Sequence, residues 1–289
     1  MLSKLLKYDF KSIKRFGLPA IIGLAVLTLI SGFGTFGYVK LLYRLSAEEN
    51  EIAASLFGMG GVLLLIAVIT IIYIAVIGIY VVIMVDFYKF TATDEAYLTF
   101  TLPVKPKQII LSKLINAYGW IFVISILVVF AIASMVIGAV IGAIDIPELW
   151  DDEITVDSAV NDMVGIFDEP YIFGSVLNVV LMIIQAFIGV AHGLLMYFMA
   201  IFLGSVIAKK HKILAAIGCV FGVMALNGTI TSIGQMILYV ISAGVLAVTA
   251  DYVLYQAIVT GAQVVYLAGM TVLYFFILKH MMEKKLNLP

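Results

Sequence analysis

LFGMGGVLLLIAVITIIYIAVIGIYVVIMV, residues 56–85, runs for thirty residues without a charge. A helix of that length measures about 45 Å at 1.5 Å per residue, and the hydrocarbon layer of a bilayer is about 30 Å thick. No soluble core needs so long an unbroken apolar segment, so this stretch is read as a membrane-crossing helix. The rest of the 289-residue chain agrees. Hydrophobic residues are 64%, charged residues 12%, and the mean hydropathy is +1.17. A soluble domain runs near 45–50% apolar and about 25% charged. The composition excludes a soluble enzyme, a nucleic-acid binder and a disordered chain. It leaves an all-α, polytopic membrane protein.

Five further stretches meet the ~20-residue requirement: Gly17–Val39, Ile109–Ile144, Tyr171–Ile207, Ile213–Ala243 and Tyr252–Leu278. Their flanks give the orientation. Fifteen of the 17 lysines and arginines fall on one side: before span one, between spans two and three, between spans four and five, and after span six. Lys40 and Arg44 alone lie opposite. The positive-inside rule places both termini in the cytoplasm, as an even number of spans requires. The cytoplasmic membrane is the expected location, and the lipid bilayer the first partner. The first apolar run is longer than a signal-peptide core and lacks a small-residue cleavage pattern, so it is read as a permanent span. The external segment 145–170 carries nine acids and no base. It reads as a solvated loop or as a collecting surface for cations.

Residues 1–16 are amphipathic. On a helical wheel Leu2, Leu5, Leu6, Phe10, Ile13 and Phe16 share a sector, with Lys4, Lys7, Lys11, Lys14 and Arg15 opposite. The pattern fits a helix in the membrane interface, one packed on the ends of other spans, or a simple topology anchor. Asp9 falls inside the apolar sector, next to Phe10 and Lys11. A lone carboxylate there is costly, so a basic partner is expected from Lys105, Lys107 or Lys113.

Residues 86–114, DFYKFTATDEAYLTFTLPVKPKQIILSKL, form the longest cytoplasmic loop. Thr93 suits a helix cap, with Asp94 and Glu95 in the positive first turn; Tyr97, Leu98 and Leu102 add apolar contacts and Pro103 ends the turn. Phe100, Leu102 and Val104 in a loop suggest an interface.

The opening MLSKLLKYDFKSIKR and the segment TDEAYLTFTLPVKPKQIILSKL resemble those of bacterial type-2 ABC transporter permeases, Firmicute ones in particular. The resemblance extends to the six-span plan, so that residues 1–289 read as one permease domain. It implies an elbow helix at the N-terminus, with Asp9, Phe10 and Lys11 in it. It implies a coupling helix carrying Asp94, Glu95, Tyr97, Leu98, Leu102, Pro103 and Val104, which docks on a separate ABC ATPase subunit. It implies a second permease copy, identical or not, and an interrupted, re-entrant region near 242–260. The expected function is the membrane subunit of an ATP-driven exporter of a peptide, drug or lipid-like substrate. ATP and Mg would bind the partner, since this chain has no G-x-x-x-x-G-K-[ST] motif and no expected cofactor of its own. No metal site, catalytic constellation or nucleic-acid partner is expected. An ion-coupled secondary transporter and a non-transporting sensor or assembly partner are the alternatives. The first usually carries intramembrane acids paired across repeats, and the spans here are nearly free of acids.

Inside the spans, Asn178, Gln185 and His192 recur every seven residues and share a face. They read as interhelical hydrogen bonds or as the polar wall of a translocation path. Gln256 and Gln263 have the same spacing; Asn227 and Gln235 are weaker candidates. Three GxxxG pairs, Gly138–Gly142, Gly189–Gly193 and Gly218–Gly222, read as helix packing. Cys219 reads as a small core residue.

Overall fold

The computed structural model describes residues 2–47, 51–93, 106–144, 176–208, 210–249 and 252–286. They form six long helices: α1 Leu2–Ala47, α2 Glu51–Ala92, α3 Pro106–Ile144, α4 Val176–Ile207, α5 Lys212–Thr249 and α6 Tyr252–Leu286. Each contains a stretch long and apolar enough to cross a membrane, with mean hydropathy from 1.8 to 3.2. Their surfaces carry many exposed leucines, isoleucines, valines and phenylalanines, Leu63 to Ile66 on α2 among them. Water would make that exposure prohibitive, whereas lipid is its natural solvent. The protein is a multi-pass, all-α membrane protein.

Two sequence expectations are modified. Residues 2–16 and the first span form one continuous 46-residue helix, not an elbow followed by a span. Nothing between Phe16 and Leu18 stops a helix, and Pro19 is accommodated inside it. At about 69 Å the helix is more than twice the hydrocarbon thickness, so a good part of it lies outside that layer. Near 242–260, α5 continues to Thr249 and α6 begins at Tyr252, so the described residues on either side of 250–251 are plain helix. Asp251 lies outside the described residues, as do 94–105 and 145–175.

The chain divides into two compact units. The first draws on Met1–Phe10, Met84–Tyr118 and Val164–Pro289. Its core is the second half of α4, where Leu194, Leu195, Phe198 and Phe202 are all buried. Phe198 stacks on Phe87 with ring centroids 4.1 Å apart and planes 9° from parallel. Leu278 and Met282 of α6 and Ile110 of α3 are buried as well. The second unit comprises Lys11–Ile83 and Gly119–Met163. Here α1 and α3 are joined by small polar residues as well as by Trp120, whose buried ring lies against Gly17. Ser134 Oγ donates to the Thr28 carbonyl at 2.8 Å and lies 3.2 Å from Ser31 Oγ. Thr35 Oγ1 donates to the Met135 carbonyl at 3.1 Å.

Glycine makes that approach possible. A Cβ on Gly138 would collide with the Gly32 carbonyl oxygen and meet Thr35 Oγ1 at 2.5 Å. Lipid tails are as apolar as leucine, so helices in a bilayer cohere through such close backbone contact and through hydrogen bonds. Of the three GxxxG pairs only Gly138–Gly142 is packed in this way. Cβ atoms on Gly189, Gly193, Gly218 and Gly222 would meet nothing within 4 Å. Gly138→Leu is therefore expected to destabilise the protein by about 1–3 kcal/mol. Gly222→Leu should stay within about 0.5 kcal/mol of the parent. Thermal unfolding of the two variants in detergent distinguishes these outcomes.

Candidate functional site

The first unit holds two polar constellations, one charged and one neutral. The charged one is built at the Lys-rich helix ends. Lys113 Nζ, on the second turn of α3, lies 2.8 Å from Asp9 Oδ1 and donates to Asp86 Oδ2 at 2.7 Å. The three side chains are about nine-tenths buried. Ser112 Oγ donates to the second oxygen of Asp9 at 2.6 Å. The Lys113 ammonium also sits 5.2 Å from the centroid of Phe90. One turn further along α3, Asn116 is only 4% exposed, and its amide has no hydrogen-bond partner among the described residues.

This triad answers the anomaly of Asp9. The expected basic partner is Lys113; Lys107 is exposed and Lys105 lies outside the described residues. Of the other expected elbow residues, Phe10 is 52% exposed and Lys11 is exposed. The second acid, Asp86, was not singled out. Its signal was faint: a carboxylate ending thirty uncharged residues, where it reads as the first residue of a loop. A second tie joins the same end of α2 to α5, because Lys212 Nζ donates to the Ala92 carbonyl at 3.1 Å.

The neutral constellation runs between α4, α5 and α6. Tyr274 OH donates to Asn227 Oδ1 at 3.0 Å. The Asn227 side chain also meets His192, whose ring centroid is 5.3 Å from that of Tyr274. One turn along α5, Thr231 Oγ1 and Tyr266 OH are 2.9 Å apart. Beyond them Gln185 Nε2 donates to Gln263 Oε1 at 2.9 Å. These rungs fall in order, since α5 runs antiparallel to α4 and α6: 192, 227 and 274 are level, then 231 and 266, then 185 and 263. On α6 the seam covers residues 263–274, about 16 Å of helix. At its far end a cavity of about 480 Å³ is lined by Gln185, Thr231, Gly234, Gln235, Gln263 and Tyr266, with Leu238 and Val265 among the apolar residues.

Of the expected translocation-path residues, Gln185 and His192 enter this seam. Asn178 is fully buried, two turns nearer the start of α4 than Gln185, and does not line the cavity. Gln263, Asn227 and Gln235 join the constellation. Thr231, Tyr266 and Tyr274 were not anticipated, although Asn227, Thr231 and Gln235 recur every fourth residue and Tyr266 and Tyr274 lie eight apart. The expected coupling residues Asp94, Glu95, Tyr97, Leu98, Leu102, Pro103 and Val104 lie outside the described residues. Cys219 is a half-buried free thiol on α5.

No family model matches this chain, and no curated protein or solved structure matches it.

Two measurements probe these constellations. Lys113→Met leaves two buried carboxylates facing each other and should cost about 3–5 kcal/mol. The triple variant Asp9→Asn, Lys113→Met, Asp86→Asn should regain most of that loss in detergent unfolding. In the seam, a cycle of Tyr274→Phe and Asn227→Leu should give a coupling energy of about 0.6 kcal/mol and no more than about 1.7.

Proposed function

We propose that this protein is the membrane-spanning subunit of an ATP-driven exporter of the type-2 ABC class, working with a separate ATPase and a second permease copy. It lies in the cytoplasmic membrane with its Lys-rich side inward. ATP and Mg bind the partner ATPase.

The observation that carries this reading is the Asp9–Lys113–Asp86 triad. An ATPase that drives a membrane protein through a short loop needs that loop anchored at both ends. Residues 94–105 sit between the end of α2 and the start of α3. Asp86 lies about two turns before that segment and Lys113 about two turns after it. Their ion pairs bind both flanks to each other and to the start of α1. The Lys212 contact adds the start of α5. A push on the loop would therefore be delivered to four helices together rather than absorbed in one hinge. The seam suits the other end of such a mechanism. Its neutral hydrogen bonds are individually weak in a bilayer, so α4, α5 and α6 can exchange partners between two states at small cost. A ligand or an ATPase shifts such an equilibrium only through contacts that differ between those states.

The test asks whether an ATPase with a Walker motif is encoded beside this gene, and co-expresses that ATPase with the full chain. A complex that survives purification is expected. Leu98→Asp combined with Leu102→Asp should lower the ATPase retained by about tenfold or more, as loss of buried anchors at a small interface does. Transport by the purified chain without any ATPase, or labelling of a cysteine at position 98 from outside the cell, would refute the reading.

A further inference from the structure

We propose that the cavity at the end of the α4–α5–α6 seam is a binding site for an uncharged, amide-bearing apolar molecule, of which a short end-blocked hydrophobic peptide is the simplest example. The proposal rests on the exporter reading for its purpose and gives that reading a substrate class.

The size is right for a small ligand. About 480 Å³ lies within the range of pockets that enclose drug-sized molecules. The lining then sets the chemistry. Among the described residues, no acidic or basic side chain borders the cavity. A carboxylate, phosphate or ammonium entering it from water would lose its hydration with no opposite charge to replace it. A phospholipid headgroup and a free fatty acid are disfavoured on that ground.

What the lining does offer is amide chemistry. Gln185 and Gln263 share one hydrogen bond, Nε2 to Oε1. A carboxamide has two donors and an oxygen with two lone pairs, so this bond leaves one N–H and the oxygen of Gln185. It leaves the whole amino group and one lone pair of Gln263. Gln235, exposed one turn beyond Thr231, brings a third carboxamide to the same lining. Unused donors and acceptors stand side by side, as in a peptide group. A peptide bond or another neutral amide presents an N–H and a C=O that match them together, whereas an ester, ether or hydrocarbon meets only part of the set. Leu238, Val265 and Leu267 supply apolar walls for the side chains of such a ligand.

The floor is open. Thr231, Gly234, Gln235 and Leu238 share one face of α5 at spacings of three and four. Gly234 carries no Cβ, and a Cβ built there meets nothing within 4 Å. A larger side chain at this position would enter the cavity without clashing with its own fold.

The experiment uses the full chain in lipid nanodiscs, with acetyl-photoleucyl-leucine amide as a photo-crosslinking probe. Crosslinks are expected within residues 231–238 of α5 and 262–267 of α6. Unlabelled acetyl-leucyl-leucine amide should compete at a concentration at least about tenfold lower than the same peptide with a free carboxylate, or than phosphatidylglycerol. Gly234→Leu should abolish the crosslinks by filling the cavity while every hydrogen-bonding group stays in place. The pair Gln185→Leu and Gln263→Leu should lower them about fivefold or more. Crosslinks scattered over the lipid-facing surfaces of all six helices and unchanged in Gly234→Leu would overturn the proposal. So would competition led by the phospholipid or by the charged peptide; the wild-type competition stands even if a variant fails to fold. No ATPase or ATP is present, so failure of this site and failure of the exporter reading are separately visible. Specific crosslinking without a co-purifying ATPase sinks only the latter.

Discussion

A lysine held between two aspartates is the constraint on which the rest of the first unit depends. Each of these ions loses several kcal/mol of hydration on burial, and a buried pair recovers that only when its geometry is good and its remaining lone pairs are filled. Here the geometry is good: Lys113 reaches both carboxylates at 2.7–2.8 Å, and Ser112 occupies the other oxygen of Asp9. The cluster sets two carboxylates against one ammonium, so removing the lysine alone leaves both carboxylates buried without a counter-charge. It requires its one cation, and thereby fixes which turn of α3 faces α1 and α2. Phe90 beside the ammonium and the Phe87–Phe198 stack extend the same fixed region from the charges into the apolar core.

The seam has the opposite character. It contains hydroxyls, carboxamides and one imidazole, and its bonds join neutral partners. In a bilayer such bonds are worth little individually, because an unfolded helix in lipid also finds partners for its polar groups. Strong, charged contacts therefore gather at one end of the unit and weak, replaceable ones in its interior. A conformational change can break the weak ones and leave the strong ones whole. That distribution is what a transmitted displacement needs: a stiff place to receive it and a soft place to yield. The cavity lies at the far end of the soft region, where rearrangement of α4, α5 and α6 would change its shape most directly.

Much of the fold was legible because membrane spans announce themselves by length. The thirty uncharged residues 56–85 could be nothing else, and each of the six helices overlaps one expected span. Asp9 was legible through an error in a pattern: one acid in an apolar sector demands a cation, and three lysines were in reach. Asp86 was hidden because an acid at the end of a span is normally solvated, and only the fold turns it inward. The seven-residue spacing of Gln185 and His192 was visible, but their partners were not. Tyrosine and threonine count as ordinary residues of membrane helices, and their hydroxyls acquire meaning only once antiparallel helices bring Thr231 level with Tyr266. The join between the amphipathic start and the first span was misread for a different reason. A change of composition at Gly17 looks like a boundary, yet composition alone does not end a helix, and Pro19, which removes one backbone hydrogen bond, is accommodated without ending it.

The two units also differ in what holds each together, and the difference follows from their residues. In the second unit glycine and serine act beside the buried ring of Trp120: Gly138 lets α3 approach the Gly32 carbonyl, and Ser134 and Thr35 then bond to backbone that would otherwise lie out of reach. Such packing is rigid because any added methyl collides with backbone, which cannot move without moving the helix. The first unit relies on large rings, ions and a polar seam, and retains a cavity of about 480 Å³. A bundle held only by glycine contacts would close that space, since nothing in lipid rewards leaving it open. Three carboxamides on its lining change that balance. Collapsing the cavity would press Gln185, Gln235 and Gln263 against apolar neighbours with hydrogen-bonding capacity unfilled, at a desolvation cost for each group. The polar lining that makes the cavity selective for an amide therefore also opposes its collapse.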